Sequence, residues 1–348
     1  MNIIAINGSP LSNRITGIER YMYEILKRLD SMIKFSEIEI YLLCPKGRKM
    51  NIPKLETIEA VYLKSKRGKL SVFAIRKFLR EHNAIYCTMS GNLCIQKGAI
   101  ICIHDIRPWI YKEYDPFMFR LRCAINFLSC KLLSGKIVTV SETSKKEMIQ
   151  YLKMEEKKIT VISNGWEHMT EIEEDMAFWD KHKEIEPGKY YYSLGSQAPH
   201  KNFKWITENA KNNPDAMFVV AGKVWEHPGE IINRTSNIVY LGYVSDEENK
   251  TLMKHCMGFI HPSRYEGFGI PPLEALACGI RLYVANASCL PEIFKDVAVF
   301  FHPDNYDFVF TKEDSQAPSP ELVKAVLDKY KWEQAAIKWK QLFLDIER

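Results

Sequence analysis

One pattern, played twice, constrains the fold more than any other feature. The short apolar runs "NIIAI", "EIEIYLLC", "AIYCT", "GAIICIHD", "KIVTVS" and "KITVISNG" alternate with segments of helical spacing such as "GIERYMYEILKRL", "FMFRLRCAINFLSCKLL" and "SKKEMIQYL". Runs apolar at successive positions fit strands covered on both faces, as in parallel sheets. A second series follows: "YYYSLG", "AMFVVAG", "NIVYLGYV", "CMGFIHPS", "IRLYVAN" and "VAVFFHP". Helical segments such as "KNFKWITENAKN", "SDEENKTLMKHC" and "PPLEALAC" separate them. Two such series predict an α/β chain with two doubly wound, Rossmann-like domains facing a cleft. An acidic polar stretch over 166–180 interrupts the alternation, so the expected division is 1–168 and 169–330. Residues 331–348 then form a last helix that returns to the first domain.

Composition removes several function classes. The nine cysteines are odd in number and scattered, with no C-x-x-C pair, which argues against a disulfide framework or zinc site and for a reducing cytoplasm. No apolar run reaches the roughly 18–20 residues of a membrane helix, and "MNIIAINGSP" reads as a first strand rather than a signal peptide. Residues 1–168 carry 28 Lys and Arg against 16 Asp and Glu, whereas the remainder carries 20 against 27. A basic half suggests an anionic partner. With no recognisable nucleic-acid-reading module, nucleic acid is not the expected one. The densest basic patch runs from Lys64 to Arg80, where Val72, Ile75, Phe78 and Leu79 share a helical face beside Arg76, Lys77 and Arg80. Two readings stay open: a basic amphipathic helix lying on an anionic inner-membrane surface, or a surface helix with its apolar side in the core.

Ligands of doubly wound sheets bind outside the carboxyl ends of the strands. Glycines and polar groups collect there: Gly8 and Gly17 after the first run, His104 and Asp105, Ser141, Asn164, then Gly195, Ser196, Lys201 and Gly222. The richest stretch is "HPSRYEGFGIPPLEALACG", His261 to Gly279. A strand runs into Ser263, a glycine-bearing turn follows, and Pro271 and Pro272 open a helix that Gly279 closes. Gly267 and Gly269 permit close backbone approach or positive φ, and the helix start behind them suits phosphate. Alone, the stretch fits any strand–loop–helix corner; with the other loops it favours a phosphorylated nucleotide in the cleft.

These residues carry a family resemblance. "HPSRYEGFGIPPLEALACG", preceded by "LGYVSDEENKTLM" and followed by "LPEIFKDVAVFFHPDN", resembles glycosyltransferase family 4, retaining enzymes of the GT-B fold. "TGIERYMYEIL", "IHDIRP", "VSETSKKEM" and "VISNG" match the same family in order, so the resemblance covers nearly the whole chain and leans to polysaccharide mannosyl- and rhamnosyltransferases. It implies that Glu274 accepts hydrogen bonds from the donor ribose and that Glu266 holds hydroxyls of the transferred sugar. Backbone around Gly267, Phe268, Gly269 and Ile270 would meet the sugar or phosphates. Lys201 would neutralise the departing diphosphate. Gly195 and Ser196 would flank the donor, Val244 the base, and Gly17 the phosphates from the other domain. His104 would stand by the transferred sugar and acceptor, with Asp105 and Arg107 on the acceptor side. His104, Glu266 and Lys201 form the expected catalytic set.

Two departures stand out. His200–Lys201 replaces an Arg-Lys pair, and Ser196 replaces an arginine of some members, so diphosphate neutralisation would rest on Lys201 and backbone amides or on Arg264. His104 as a bonded core histidine and Lys201 as a surface lysine at a helix start remain alternatives. No Asp-x-Asp occurs, and no metal or cofactor is expected beyond the substrate nucleotide-diphosphate sugar. The resemblance implies a cytoplasmic enzyme, peripheral on the inner face of the plasma membrane. It would move a hexose, mannose or rhamnose first, to a lipid-diphosphate-linked saccharide in O-antigen, lipopolysaccharide or capsule synthesis. Glucosyl or N-acetylglucosaminyl transfer is the alternative within the family; a non-catalytic nucleotide-sugar-binding protein is the alternative outside it.

Overall fold

The computed structural model describes residues 2–66, 69–196, 198–223, 235–311 and 318–346. The chain divides into two compact units, residues 1–164 with 330–348, and residues 165–329. The division thus falls after Asn164, ahead of the expected 168. The reason is local: "EHMT" is a short 3-10 turn (Glu167–Thr170) whose His168 is built into the second unit.

The first unit holds a seven-stranded sheet among the described residues. Its strands are β1 (Asn2–Asn7), β2 (Ile38–Pro45), β3 (Glu59–Leu63), β4 (Ile85–Thr88), β5 (Ala99–Cys102), β6 (Ser134–Thr139) and β7 (Ile159–Val161). They lie in the order β3-β2-β1-β4-β5-β6-β7, and every pairing is parallel. Helices α1 (Gly17–Met32), α2 (Val72–Glu81), α3 (Phe117–Leu133) and α4 (Glu142–Leu152) occur in the connections that parallel pairing requires. The order reverses between β1 and β4, which makes that gap the switch point.

Strand β3 has no counterpart in the reading of the sequence. It is an edge strand with only partial burial along its length, and its short apolar run, Ala60 to Leu63, stands directly before the basic Lys64–Arg80 patch. For the Lys64–Arg80 patch the structure selects the core reading. Ile75, Phe78 and Leu79 of α2 are buried in the main apolar cluster of this unit.

The second unit repeats the scheme with β8 (Tyr190–Leu194), β9 (Met217–Ala221), β10 (Ile238–Gly242), β11 (Gly258–His261), β12 (Leu282–Ala285) and β13 (Ala298–Phe301). The order is β10-β9-β8-β11-β12-β13, again all parallel. Its helices include α5 (Phe203–Asn212), α6 (Asp246–Lys254), α7 (Ile270–Ala277) and α8 (Pro320–Lys329). The switch point lies between β8 and β11. Trp205 anchors the core, its ring stacked on Phe301 at 4.1 Å and its Nε1 donating to the Asn305 carbonyl at 2.7 Å.

The last helix, α9 (Trp332–Leu344), packs against α1 in the first unit, as expected. Trp339 Nε1 donates to the Tyr21 hydroxyl at 2.8 Å, and that hydroxyl donates to the Ile162 carbonyl at 3.1 Å. Trp332 and Trp339 are both fully buried. A helix remote in sequence from the first unit's strands therefore completes the first core rather than the second.

Candidate active site

The site of the second unit forms where β8 and β11 end. After β8 the backbone bends through Gly195, whose N–H donates to the Ala221 carbonyl at 3.0 Å. A side chain at Gly222 is impossible here, because its Cβ would stand 1.9 Å from the Gly195 carbonyl oxygen and its φ is +122°. A single 3-10 turn, Pro199–Lys201, then presents Lys201. Asn202 follows in the left-handed region at φ 55°. Its buried amide donates to the carbonyls of Pro262 at 3.1 Å and Pro303 at 2.9 Å, tying the turn to the loop beyond β11. The Arg264 N–H donates to the His200 carbonyl at 2.8 Å and makes a second tie.

Lys201 and Glu266 face each other across these loops. Lys201 Nζ lies 2.7 Å and 2.9 Å from the two carboxylate oxygens of Glu266. His261, the last residue of β11, places Nε2 2.9 Å from the nearer of them. Burial opposes ionisation of Glu266, yet the Lys201 ammonium and the His261 hydrogen bond prevail and hold its carboxyl well below the ordinary carboxylate range. The Glu266 carbonyl is fixed in turn by the Ser288 hydroxyl at 2.7 Å and the Cys289 thiol at 3.2 Å.

Helix α7 begins as its sequence demands. Gly269 caps it at φ 104°, where a Cβ would press within 2.9 Å of Leu290, and prolines occupy the first turn. Gly279 closes it at φ 78°. Glu274 projects from this helix and is buried, with Oε1 2.9 Å from His168 Nε2. His168, itself buried, carries no motif signal; its stretch reads in sequence as an acidic boundary segment. His261 opens the motif, and its place at the end of β11 is the sequence signal that marks it.

Phe268 and Val244 are buried, while Ser196 and Ile270 are partly exposed. The arginine expected to substitute near the phosphates, Arg264, pairs its guanidinium with Asp304. Its charge is matched by the loop that follows β13.

In the first unit, His104 sits just past β5. Its Nε2 donates to the Met89 carbonyl at 2.8 Å, and its ring meets Tyr21 edge-on at 5.0 Å. Burial lowers its pKa, against an opposing push from the Met89 hydrogen bond, so the neutral ring is favoured with Nδ1 as its acceptor. Asp105 accepts from the Arg107 N–H at 2.9 Å, and the Arg107 guanidinium is bound to Asp115 at 2.6 Å. Gly17 is the first residue of α1, following Thr16, whose side chain and Glu19 form a capping box. At the β1/β4 switch point lies a cavity of about 680 Å³, whose lining includes Asn7, Ser9, Ser90, Asn92, Arg48 and Arg122. The residues expected at the acceptor, His104, Asp105 and Arg107, do not line it.

Residues 175–313 match the family described as glycosyl transferases, group 1. The chain is 26% identical over 336 residues to O-antigen chain mannosyltransferase B of Escherichia coli, a match covering 86% of each. It is 26% identical over 242 residues to the O-antigen chain mannosyltransferase RfbU of Salmonella typhimurium, spanning 67% of this chain and 65% of that protein. Among solved structures it resembles sucrose-phosphate synthase from Thermosynechococcus elongatus, with TM-score 0.76 at 12% identity over 99% of this chain and 98% of that one. It also resembles WaaG, a glycosyltransferase involved in lipopolysaccharide biosynthesis, with TM-score 0.70 at 14% identity over 99% of this chain and 100% of that one.

Two parallel, doubly wound units with this site at the second switch point define the GT-B architecture. Residues 175–313 match the glycosyl transferases group 1 family, and together with the mannosyltransferase relatives this makes the chain a glycosyltransferase.

Proposed function

We propose that this protein is a retaining hexosyltransferase, with mannose as the favoured sugar and rhamnose next. It would move that sugar from a nucleotide-diphosphate donor to a saccharide on a lipid-diphosphate carrier during bacterial surface-polysaccharide assembly. The observation that carries the reading is the pairing of Lys201 with Glu266 at the second switch point, with Glu274 buried on the helix that follows, all within the residues that match group 1 glycosyl transferases. The two curated O-antigen mannosyltransferases among its relatives support the choice of sugar and product.

In this reading the arriving diphosphate takes over the Lys201 ammonium from Glu266. The released carboxylate then accepts hydrogen bonds from hydroxyls of the transferred hexose. Glu274, with Oε1 already engaged by His168, keeps Oε2 to receive the ribose hydroxyls. The bond from the anomeric carbon to the diphosphate oxygen breaks as the acceptor oxygen bonds to the same face. The acceptor proton passes to a phosphate oxygen of the leaving group. Positive charge held at Lys201 is most valuable as that leaving group gathers negative charge. No metal or separate cofactor enters this scheme, and the enzyme would work at the inner face of the plasma membrane.

A thermal-shift series with GDP-, UDP- and dTDP-sugars tests the donor, because a ligand that binds only the folded state raises Tm. The expected result is stabilisation by a GDP-hexose, or by a dTDP-hexose if rhamnose is the sugar. Stabilisation by none of them would leave the chain without its proposed activity.

A further inference from the structure

Glu266 is held from two sides by donors of unequal mobility. Lys201 reaches it from the short turn after β8 on a long flexible stem, and its side chain is 23% exposed. His261 reaches it from the end of β11, a strand paired on both sides, and its side chain is 3% exposed. The ammonium can follow another anion; the imidazole cannot.

The contact with Glu266 also fixes where the protons of His261 lie. Against the cost of burial, the Lys201 ammonium and the His261 bond keep Glu266 ionised, and an ionised carboxylate only accepts hydrogen bonds. The His261 Nε2, 2.9 Å from Oε1, therefore carries the hydrogen. Nδ1 has no hydrogen-bond partner among the described residues, so it is the atom with room for one more.

The elements packed around the ring bring little other charge to it. On β12 its register partner is Val284, and on its own strand the Phe259 ring lies parallel to it. On β8 the Tyr192 hydroxyl is bonded to Asn249, and burial holds that phenol protonated. Glu274 of α7 is bonded to His168, and Arg264 of the neighbouring loop is paired with Asp304. Lys201 and Glu266 are the charged groups that meet at the ring.

In the donor complex proposed above, Lys201 leaves Glu266 for a diphosphate. A buried carboxylate then loses its cation just as a doubly charged group arrives beside it. Both changes favour added positive charge at the imidazole.

We infer that His261 is a positioning residue that takes up one proton when the nucleotide sugar binds and replaces Lys201 as the counterion of Glu266. The inference rests on the exchange of Lys201 described in the proposed function. The proton comes from solvent to Nδ1, and it returns there when the nucleotide leaves and Lys201 swings back. A charged imidazole keeps Glu266 ionised and aimed while that carboxylate accepts hydrogen bonds from the sugar hydroxyls. Without it, the buried acid would take the proton itself, turning one oxygen from acceptor to donor. Because the complex holds more protons than the free protein, donor affinity rises as pH falls through the range just above the ordinary imidazole value of about 6.5.

The test is calorimetry of the full chain with GDP-mannose, or with the nucleotide sugar that raises Tm in its place, in buffers of different ionisation enthalpy. A sugar diphosphate has no phosphate monoester to titrate, so the proton count belongs to the protein. The expected uptake is close to one proton at about pH 7.5, with Kd falling roughly fivefold from about pH 8 to about pH 7. His261→Gln still offers Glu266 a donor but takes no proton, so its count should drop to near zero and its Kd should lose the pH dependence. His168→Gln, on the other histidine–glutamate pair, should keep the parent count. Nitrogen spectra of the histidine rings read the same event in the parent: one ring should pass from the neutral to the charged pattern as donor is added. A parent count of zero, a count that survives in His261→Gln, or ring spectra unchanged by donor overturns the inference and leaves the donor reading intact. A chain that binds none of the GDP-, UDP- and dTDP-sugars removes both.

Discussion

Lys201 and Glu266, 65 residues apart in the chain, meet with both carboxylate oxygens within 2.9 Å of one ammonium. The pair joins the turn after β8 to the loop after β11 on either side of the switch point. It holds each charged group ready at the place where a doubly wound sheet receives its ligand. In the proposed reaction the same two groups exchange partners, Lys201 to the diphosphate and Glu266 to the sugar.

Lys201→Ala is therefore expected to lower kcat about a hundredfold with little change in donor KM, since the charge it neutralises grows towards the transition state. Steady-state kinetics with the donor found by thermal shift measures this. A rise in KM at unchanged kcat would reduce Lys201 to a binding residue.

Glu274→Ala should weaken nucleotide binding about tenfold in calorimetry, the size expected for losing hydrogen bonds to a charged acceptor. His168 acts through Glu274, so His168→Ala should weaken binding about threefold and His168→Gln should recover most of it. An undiminished affinity in Glu274→Ala would remove the ribose role.

Acid should unfold the second unit through Glu266. Its folded carboxyl lies below its unfolded counterpart, whose ordinary value is about 4.3. The stabilisation is thus fully present above about pH 4.3 and is lost as pH falls towards the depressed folded value. Calorimetric scans should show a parent Tm dropping through that window and a flatter Glu266→Gln curve. Parallel curves would place the acid sensitivity elsewhere.

Trp339→Ala should destabilise the first unit by about 3–5 kcal/mol, because it empties a fully buried site in α9. Trp339→Phe retains most of that volume and should cost about 1 kcal/mol, mainly the bond to the Tyr21 hydroxyl. Denaturant unfolding monitored on the first unit checks both values. Losses below about 1 kcal/mol for the alanine variant would mean that α9 is not part of this core.

Much of this protein follows from the sequence by itself, because its signals are local. Parallel strands covered on both faces carry continuous apolar runs, and such runs mark twelve of the thirteen described strands of the two large sheets. Proline at the start and glycine at the end placed α7 to within a residue. The spacing of Glu266 and Glu274 around a glycine turn marked the site for the same reason: backbone chemistry leaves a signature in adjacent letters. Edge strand β3 leaves only the short run Ala60 to Leu63, beside the basic patch.

Pairings between distant segments were decided only by tertiary structure. That Lys201 bonds Glu266, that His168 backs Glu274, and that Arg264 and Arg107 are matched by Asp304 and Asp115 depends on which loops the sheet order brings together. The same holds for the two basic helices. Both α2 and α3 read as apolar helical segments with cations, and periodicity does not say which face finds a neighbour. Packing hid the apolar face of α2 in the core and left that of α3 in the open, because burial is settled by what lies opposite a residue in space.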